Sequence, residues 1–178
     1  MERIPEAVLD RFVSGVNLMP GSLRDQLGAE LTLLVFLRHF GCIFCRETIA
    51  ELRDASRARG YPRVIFFFQG TPTEGRAFLR RDWPEARAVA DVELFFYEAF
   101  GVGRGSLLQL FGPGVLAAGL RARRKGFENG ERSGDIFRMP GAFLVKDGAV
   151  LWRHRYRHAG DRPDFANIPA LAREPVSV

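Results

Sequence analysis

The chain holds two cysteines, Cys42 and Cys45, separated by two residues in "LRHFGCIFCRE", Leu37 to Glu47. Such a pair can cycle between dithiol and disulfide, supply half of a zinc site, or sit inert in a core. The neighbours discriminate. Cys42 follows Gly41 at the end of an apolar run, where a helix begins. A helix start presents free N–H groups and about half a positive charge, which draws a thiol below its free pKa of about 8.5. Arg38, His39 and Arg46 add basic groups nearby. Cys45 lies one turn later, reaches Cys42 at i+3, and heads the apolar stripe Cys45–Ile49–Leu52. The pattern predicts Cys42 as an exposed nucleophile and Cys45 as a shielded resolving thiol. The cycle runs through a sulfenate or mixed disulfide to a Cys42–Cys45 disulfide, which an external thiol resets.

The zinc alternative would recruit His154 and His158 from "HRYRH". They are far from the cysteines in sequence, and four residues along a strand set their Cα atoms about 13 Å apart, too far to converge on one ion. No metal and no cofactor is expected, because the electrons travel through sulfur.

Strands and helices must position the pair. "LTLLVFL" (31–37) and "RVIFFF" (63–68) read as strands buried on both faces, with a helix from the cysteines to Gly60 between them. "TEGRAFLRRDWP" holds a short helix, "ARAVAD" a strand, and "VELFFYEAFG" a helix closed by Gly101. "SLLQLFGPGVLAAGL" (106–120) reads as two helical pieces broken at Gly112–Gly114; packing against the sheet is the default, with a lid over the site, a dimer contact or a membrane-surface helix beside "RARRK" as alternatives. A polar loop follows. "AFLVKDGAVLWRHRY" gives two strands joined at Asp147–Gly148, the residues a tight hairpin favours, and "RPDFANIPALAREP" a closing helix. The sum is an α/β domain: a central mixed sheet flanked by helices, with a helical and loop insertion (106–135) before the C-terminal hairpin. Pro140 precedes the first hairpin strand, where the loop passes the start of the cysteine helix. Its spacing is compatible with a cis or a trans Met139–Pro140 bond.

With 178 residues, 47% of them apolar and 16 of them Phe, the chain suits one domain over 1–178. The opening "MERIPEAVLD" has no leader-like apolar run, and no apolar stretch reaches the ~18 residues that span a bilayer. Two cysteines are too few for a secreted disulfide framework, so the expected compartment is the cytoplasm. The net charge is +5, and all but two of the basic residues are Arg. No nucleic-acid-binding motif accompanies that charge, so nucleic acid is not an expected partner.

"FLRHFGCIFCRE", the strand "VIFFF" and "MPGAFLVKDG" together resemble the thioredoxin-like superfamily. "FLRHFGCIFCRE", "DVELFFYEAFGVGRGSLLQLFGPG" and "GAFLVKDGAVLW" are similar to its peroxiredoxin-like AhpC/TSA branch, which includes prostamide/prostaglandin F synthase-like proteins. The resemblance implies a thioredoxin-like fold, a reactive Cys42, a partner Cys45 and a cis bond before Pro140. Typical members carry Pro-x-x-x-Thr-x-x-Cys; here His39 stands at the threonine position, with Arg38 before it. The family's second arginine has Arg138 near but out of step. The implied activity is reduction of peroxides, endoperoxides or disulfides with a thioredoxin- or glutathione-type thiol as reductant, in a monomer or homodimer. A redox sensor or adaptor, in which Cys42–Cys45 switches partner binding without turnover, is the alternative.

Overall fold

The computed structural model describes residues 2–131 and 134–171. Its centre is a seven-stranded sheet in the order β1-β7-β6-β3-β4-β5-β2. The strands are β1 (Glu2–Arg3), β2 (Gly15–Val16), β3 (Thr32–Phe36), β4 (Arg63–Phe68), β5 (Arg87–Ala90), β6 (Gly141–Lys146) and β7 (Ala149–Arg153). The helices are α1 (Glu6–Leu9), α2 (Leu23–Leu27), α3 (Ile43–Ala55), α4 (Pro72–Leu79), α5 (Phe95–Ala99), α6 (Leu107–Phe111), α7 (Pro113–Arg124) and α8 (Ile168–Leu171). β3, β4 and β5 run parallel, whereas β6 pairs antiparallel with β3 and β7 with β6. The α/β class and mixed sheet expected from the sequence are present.

Unbroken apolar strands must bury both faces, and the two faces carry separate cores. On one, Leu33, Val35, Leu37, Phe66 and Phe68 pack against Ile49 and Leu52 of α3, with Cys45 at the edge of that stripe. On the other, Leu34, Phe36, Ile65, Phe67 and Val145 meet α1, α2 and α5. Phe36 stacks on Phe67 at 4.5 Å and meets the edge of Tyr97 at 5.1 Å. The Tyr97 hydroxyl donates to the carbonyls of Leu37 and Phe67, fixing the end of β3 from which the cysteine loop departs. Asp147 and Gly148 turn the β6–β7 hairpin with φ of 50° and 71°, the left-handed pair that such a turn requires.

Several expectations need correction. The Met139–Pro140 bond is trans, and no cis peptide occurs among the described residues. The segment before β6 is laid against the 103–105 turn, with Met139 N–H donating to Gly103 and Gly105 N–H to Phe137, both at 2.9 Å. The chain therefore enters β6 extended, and no turn calls for the other isomer. β7 ends at Arg153, so Trp152, His154, Tyr156 and His158 do not form one strand row. α5 begins at Phe95 rather than Val92, because the Asp91 carboxylate takes the N–H groups of Phe96 and Tyr97 and sets the start there. α7 runs to Arg124, into the stretch read as loop. The expected closing helix is a short 3-10 turn plus α8, and its remainder, 172–175, lies outside the described residues. The strands β1 and β2, which extend the sheet edges, carried no clear sequence signal.

The extra turn of α7 has an electrostatic cause. Glu47 of α3 is buried, and its carboxylate accepts from Arg121 at 3.1 and 2.9 Å and from Lys125 at 2.9 Å. Burial pushes that carboxyl upward, but the two cations outweigh it and hold it below its ordinary value. Glu51 takes Lys125 as well, at 2.7 Å. This clamp fastens α7 to the cysteine helix. A Glu47→Gln variant is expected to lose about 2 kcal/mol at neutral pH, by the usual cost of breaking a partly buried ion pair. A carboxyl lowered on folding adds stability above its unfolded pKa and loses it as pH falls through the folded one. The stability gap between wild type and variant should therefore narrow as pH falls below the ordinary carboxylate range. Thermal melts from neutral pH downward into acid check it; a gap constant with pH would refute the assignment.

Candidate functional site

The site lies where β3 gives way to α3. After Leu37 the chain leaves the sheet through Arg38, His39, Phe40 and Gly41, and the Cys42 N–H donates to the His39 carbonyl at 3.1 Å. Cys42 is the N-cap residue of α3, in extended conformation, so its sulfur sits at the helix start as the sequence implied. Gly41 permits the approach of a neighbouring loop. A Cβ there would come within 2.6 Å of the carbonyl oxygens of Gly130 and Glu131. That loop also brings Asn129, whose side-chain oxygen accepts from Ile43 N–H at 3.3 Å.

Arg38 is the centre of the arrangement. Its Nε donates to the Arg138 carbonyl at 3.0 Å, its Nη2 to the Ile136 carbonyl at 2.7 Å, and its Nη1 points at Cys42 Sγ from 3.5 Å. The side chain is buried, and no carboxylate lies within ion-pair distance of it among the described residues. Its backbone N–H donates to Cys45 Sγ at 3.2 Å. Gln69, at the end of β4, holds the same strand end by donating to the Arg38 carbonyl and accepting from Asp135 N–H at 2.8 Å.

The two sulfurs are pushed in opposite directions. Burial raises Cys42, but the Cys45 thiol, the Arg38 charge and the N–H groups of Cys45 and Phe44 outweigh it and bring the group down to about 6. Cys45 is pushed well above its ordinary value, first by burial and then by donating its proton to Cys42. One site thus favours a thiolate at 42 and keeps a proton at 45.

Cys42 is buried, at 3% exposure, rather than exposed as the sequence suggested. The physical reason is the insertion. α6, α7 and the 128–131 loop stand over the start of α3 and leave a cavity of about 510 Å³, of which Cys42 is part of the lining. Arg38, His39, Leu110, Phe111, Leu116 and Arg123 contribute to its wall. The sulfur is therefore reached through this mostly apolar cleft. Of the other residues singled out by sequence, His39 is buried beside the cysteine in the same wall. Pro140 instead lines a separate small cavity of about 20 Å³ together with Cys45 and Tyr156. Arg138 does not face Cys42. Its guanidinium donates to Glu98 at 2.8 Å and to the Val102 carbonyl at 3.0 Å, and only its carbonyl serves the site, through Arg38. Gln69 and Asn129 lay beyond sequence reasoning, because they act through loops that approach from distant parts of the chain. Among the described residues no group of three or more His, Cys, Asp or Glu is placed to hold a metal ion.

Comparison with known proteins adds the family. The model for "AhpC/TSA antioxidant enzyme" matches residues 48–158, from the body of α3 to the segment after β7. No curated protein matches the chain in sequence. Among solved structures, the bacterioferritin comigratory protein of Xanthomonas campestris aligns with a TM-score of 0.66 at 13% identity, covering 97% of this chain and 96% of that one. Peroxidoxin BcpB of Mycobacterium tuberculosis aligns at 0.65 and 16%, covering 97% of each chain. A secreted disulfide oxidoreductase of Mycobacterium tuberculosis aligns at 0.59 and 10%, covering 95% and 98%. At such identities the structural likeness speaks for the fold, which is thioredoxin-like. With the family match covering more than half of its length, the chain belongs to the AhpC/TSA antioxidant enzyme family and is a thiol oxidoreductase of that kind.

Proposed function

We propose that the chain reduces a peroxide, an endoperoxide or a disulfide with Cys42 as the attacking thiolate and Cys45 as the resolving thiol. The observation that carries this reading is the Arg38 guanidinium aimed at Cys42 Sγ from 3.5 Å, on the wall of a cavity large enough for a small organic substrate. With a hydroperoxide, the Cys42 thiolate attacks the terminal oxygen and the O–O bond breaks. The alkoxide leaves with a proton as an alcohol, and Cys42 becomes a sulfenic acid. Cys45 then gives up its proton and attacks the Cys42 sulfur. Water leaves and a Cys42–Cys45 disulfide forms. An external dithiol, or two monothiols, supplies the two electrons that restore both thiols.

Each residue has a role in this scheme. Arg38 compensates the thiolate and can donate to the oxygen that carries developing charge. The start of α3 supplies further N–H groups. Cys45 stays protonated until the sulfenic acid replaces the Cys42 thiolate, which removes the negative charge that holds its proton. His39 stands where typical members place a threonine and sets the polarity of the wall beside the sulfur. Pro140 packs beside Cys45, so its place in the cycle is on the resolving side. The aligned proteins include both kinds of chemistry: alkyl peroxide reduction by the Xanthomonas protein and disulfide oxidoreduction by the secreted mycobacterial one. The compartment proposed for this chemistry is the cytoplasm, with a thioredoxin- or glutathione-type reductant.

A panel of hydrogen peroxide, an organic hydroperoxide, a lipid endoperoxide and a model disulfide, coupled to a thiol reductant, tests the scheme. Turnover of at least one member is expected to fall to background in Cys42→Ser. In Cys45→Ser, a single round that leaves a sulfenate on Cys42, visible by mass spectrometry, is expected to persist. Equal turnover in wild type and Cys42→Ser would end the proposal.

The ionisation of Cys42 is testable separately. Alkylation by a small neutral reagent should rise with pH and level off above a midpoint of about 6, since the thiolate is the reacting form. Removing the guanidinium in Arg38→Met should move that midpoint up by about 1–2 units, the usual effect of losing one opposite charge at this range. A wild-type midpoint at or above about 8.5, the value of a free cysteine, would contradict it.

A further inference from the structure

Five of the eight large apolar side chains that the structure leaves exposed fall in one short stretch: Leu107, Leu108 and Phe111 on α6, and Leu116 and Leu120 on α7. Each is more than half exposed. A patch of this kind on an otherwise well-packed chain marks an interaction surface. Leu116 and Leu120 are one turn apart, and Arg123 follows on the same face of α7, with Arg124 beside it. Arg121 and Lys125 are occupied by Glu47 and Glu51, whereas Arg123 and Arg124 are exposed and pair with no carboxylate among the described residues. Residues 106–127 contain no Asp or Glu. The surface therefore combines an apolar face with uncompensated positive charge. A second copy placed on the same face would bring cations against cations, so a negatively charged apolar partner fits better.

We propose that α6 and α7 dock on an anionic lipid surface. Their leucines and Phe111 enter the boundary between headgroups and acyl chains, and Arg123 and Arg124 lie at the phosphates. No helix among the described residues is long and apolar enough to cross a membrane, so the contact is interfacial. Phe111, Leu116, Leu120 and Arg123 also line the cavity beside Cys42. Docking in this pose turns the mouth of that cavity toward the bilayer, where an oxidised acyl chain could enter without crossing water. The docking uses no thiol, so it stands or falls independently of the sulfur chemistry.

Sedimentation of the full chain with phosphatidylcholine vesicles, with and without phosphatidylglycerol, tests the proposal. Binding is expected with the anionic vesicles, and it should weaken as salt is raised. Arg123→Gln/Arg124→Gln should weaken it by roughly 25-fold, at about fivefold per arginine. Leu116→Ser/Leu120→Ser should lose it, and Leu107→Ser/Leu108→Ser provides a second pair on the other helix should the first fail to fold. Cys42→Ser should bind as wild type. Absence of binding to anionic vesicles, or unchanged binding in the folded variants, overturns the proposal. So does a dimer in light scattering that the leucine substitutions convert to a monomer, because the face would then be covered by a second copy.

Discussion

A buried guanidinium that pairs with no carboxylate among the described residues is the constraint on which the site depends. The Nε and Nη2 of Arg38 are engaged by the carbonyls of Arg138 and Ile136. Carbonyls satisfy hydrogen bonds but do not balance charge. The third direction of the fork points at Cys42 Sγ, so the charge that can answer Arg38 in this place is a thiolate. The same two carbonyls fix the segment before β6 to the end of β3. One side chain thereby joins the antiparallel half of the sheet to the cysteine helix and sets the ionisation of the sulfur between them.

Burial and reactivity are usually opposed for a thiol, because desolvation penalises the charged form. Here the opposition is resolved by asymmetry. Both sulfurs are buried, yet the cation and the helix N–H groups are directed to Cys42. Cys45 receives the Arg38 backbone N–H and gives its proton toward its partner. Low polarity around the pair strengthens each of these contacts relative to the same contacts in water.

Much of this frame was legible in the sequence, for identifiable reasons. The continuous apolar runs at β3 and β4, the period of α3 and the Asp147–Gly148 turn are local signals; the strands and the turn formed where these lay, while α3 starts at the cysteines but ends at Ala55, short of the expected Gly60. The cysteine pair at a strand–helix junction is local too. What escaped was set by contacts between distant segments. Cys42 is buried because α6, α7 and the 128–131 loop fold back over it, and nothing near Cys42 encodes that return. α7 gained a turn because Glu47, on another helix, holds Arg121 and Lys125. The trans bond before Pro140 follows from pairing with the 103–105 turn, which a reading of "RMPGAF" alone cannot weigh. Gln69 and Asn129 act on backbone atoms far away in the chain and belong to no motif.

The family match begins at residue 48, after both cysteines, and runs through the insertion and the hairpin to the segment after β7. What it identifies is therefore the scaffold: the body of α3, the strands β4 and β5, the β6–β7 hairpin, and the helices that wall the cavity. The thiol proposed to react, Cys42, sits just upstream, at the end of the turn that begins at Arg38. That division matches the physics. The sheet and α3 hold the sulfur at a helix start, which any substrate of a thiolate can use. The apolar wall from Leu110 to Leu120 decides what can come near it, because a sulfur at 3% exposure meets only what enters the cleft. Chemistry and access are thus carried by different segments, fastened together by the Glu47 clamp at the C-terminal end of α7.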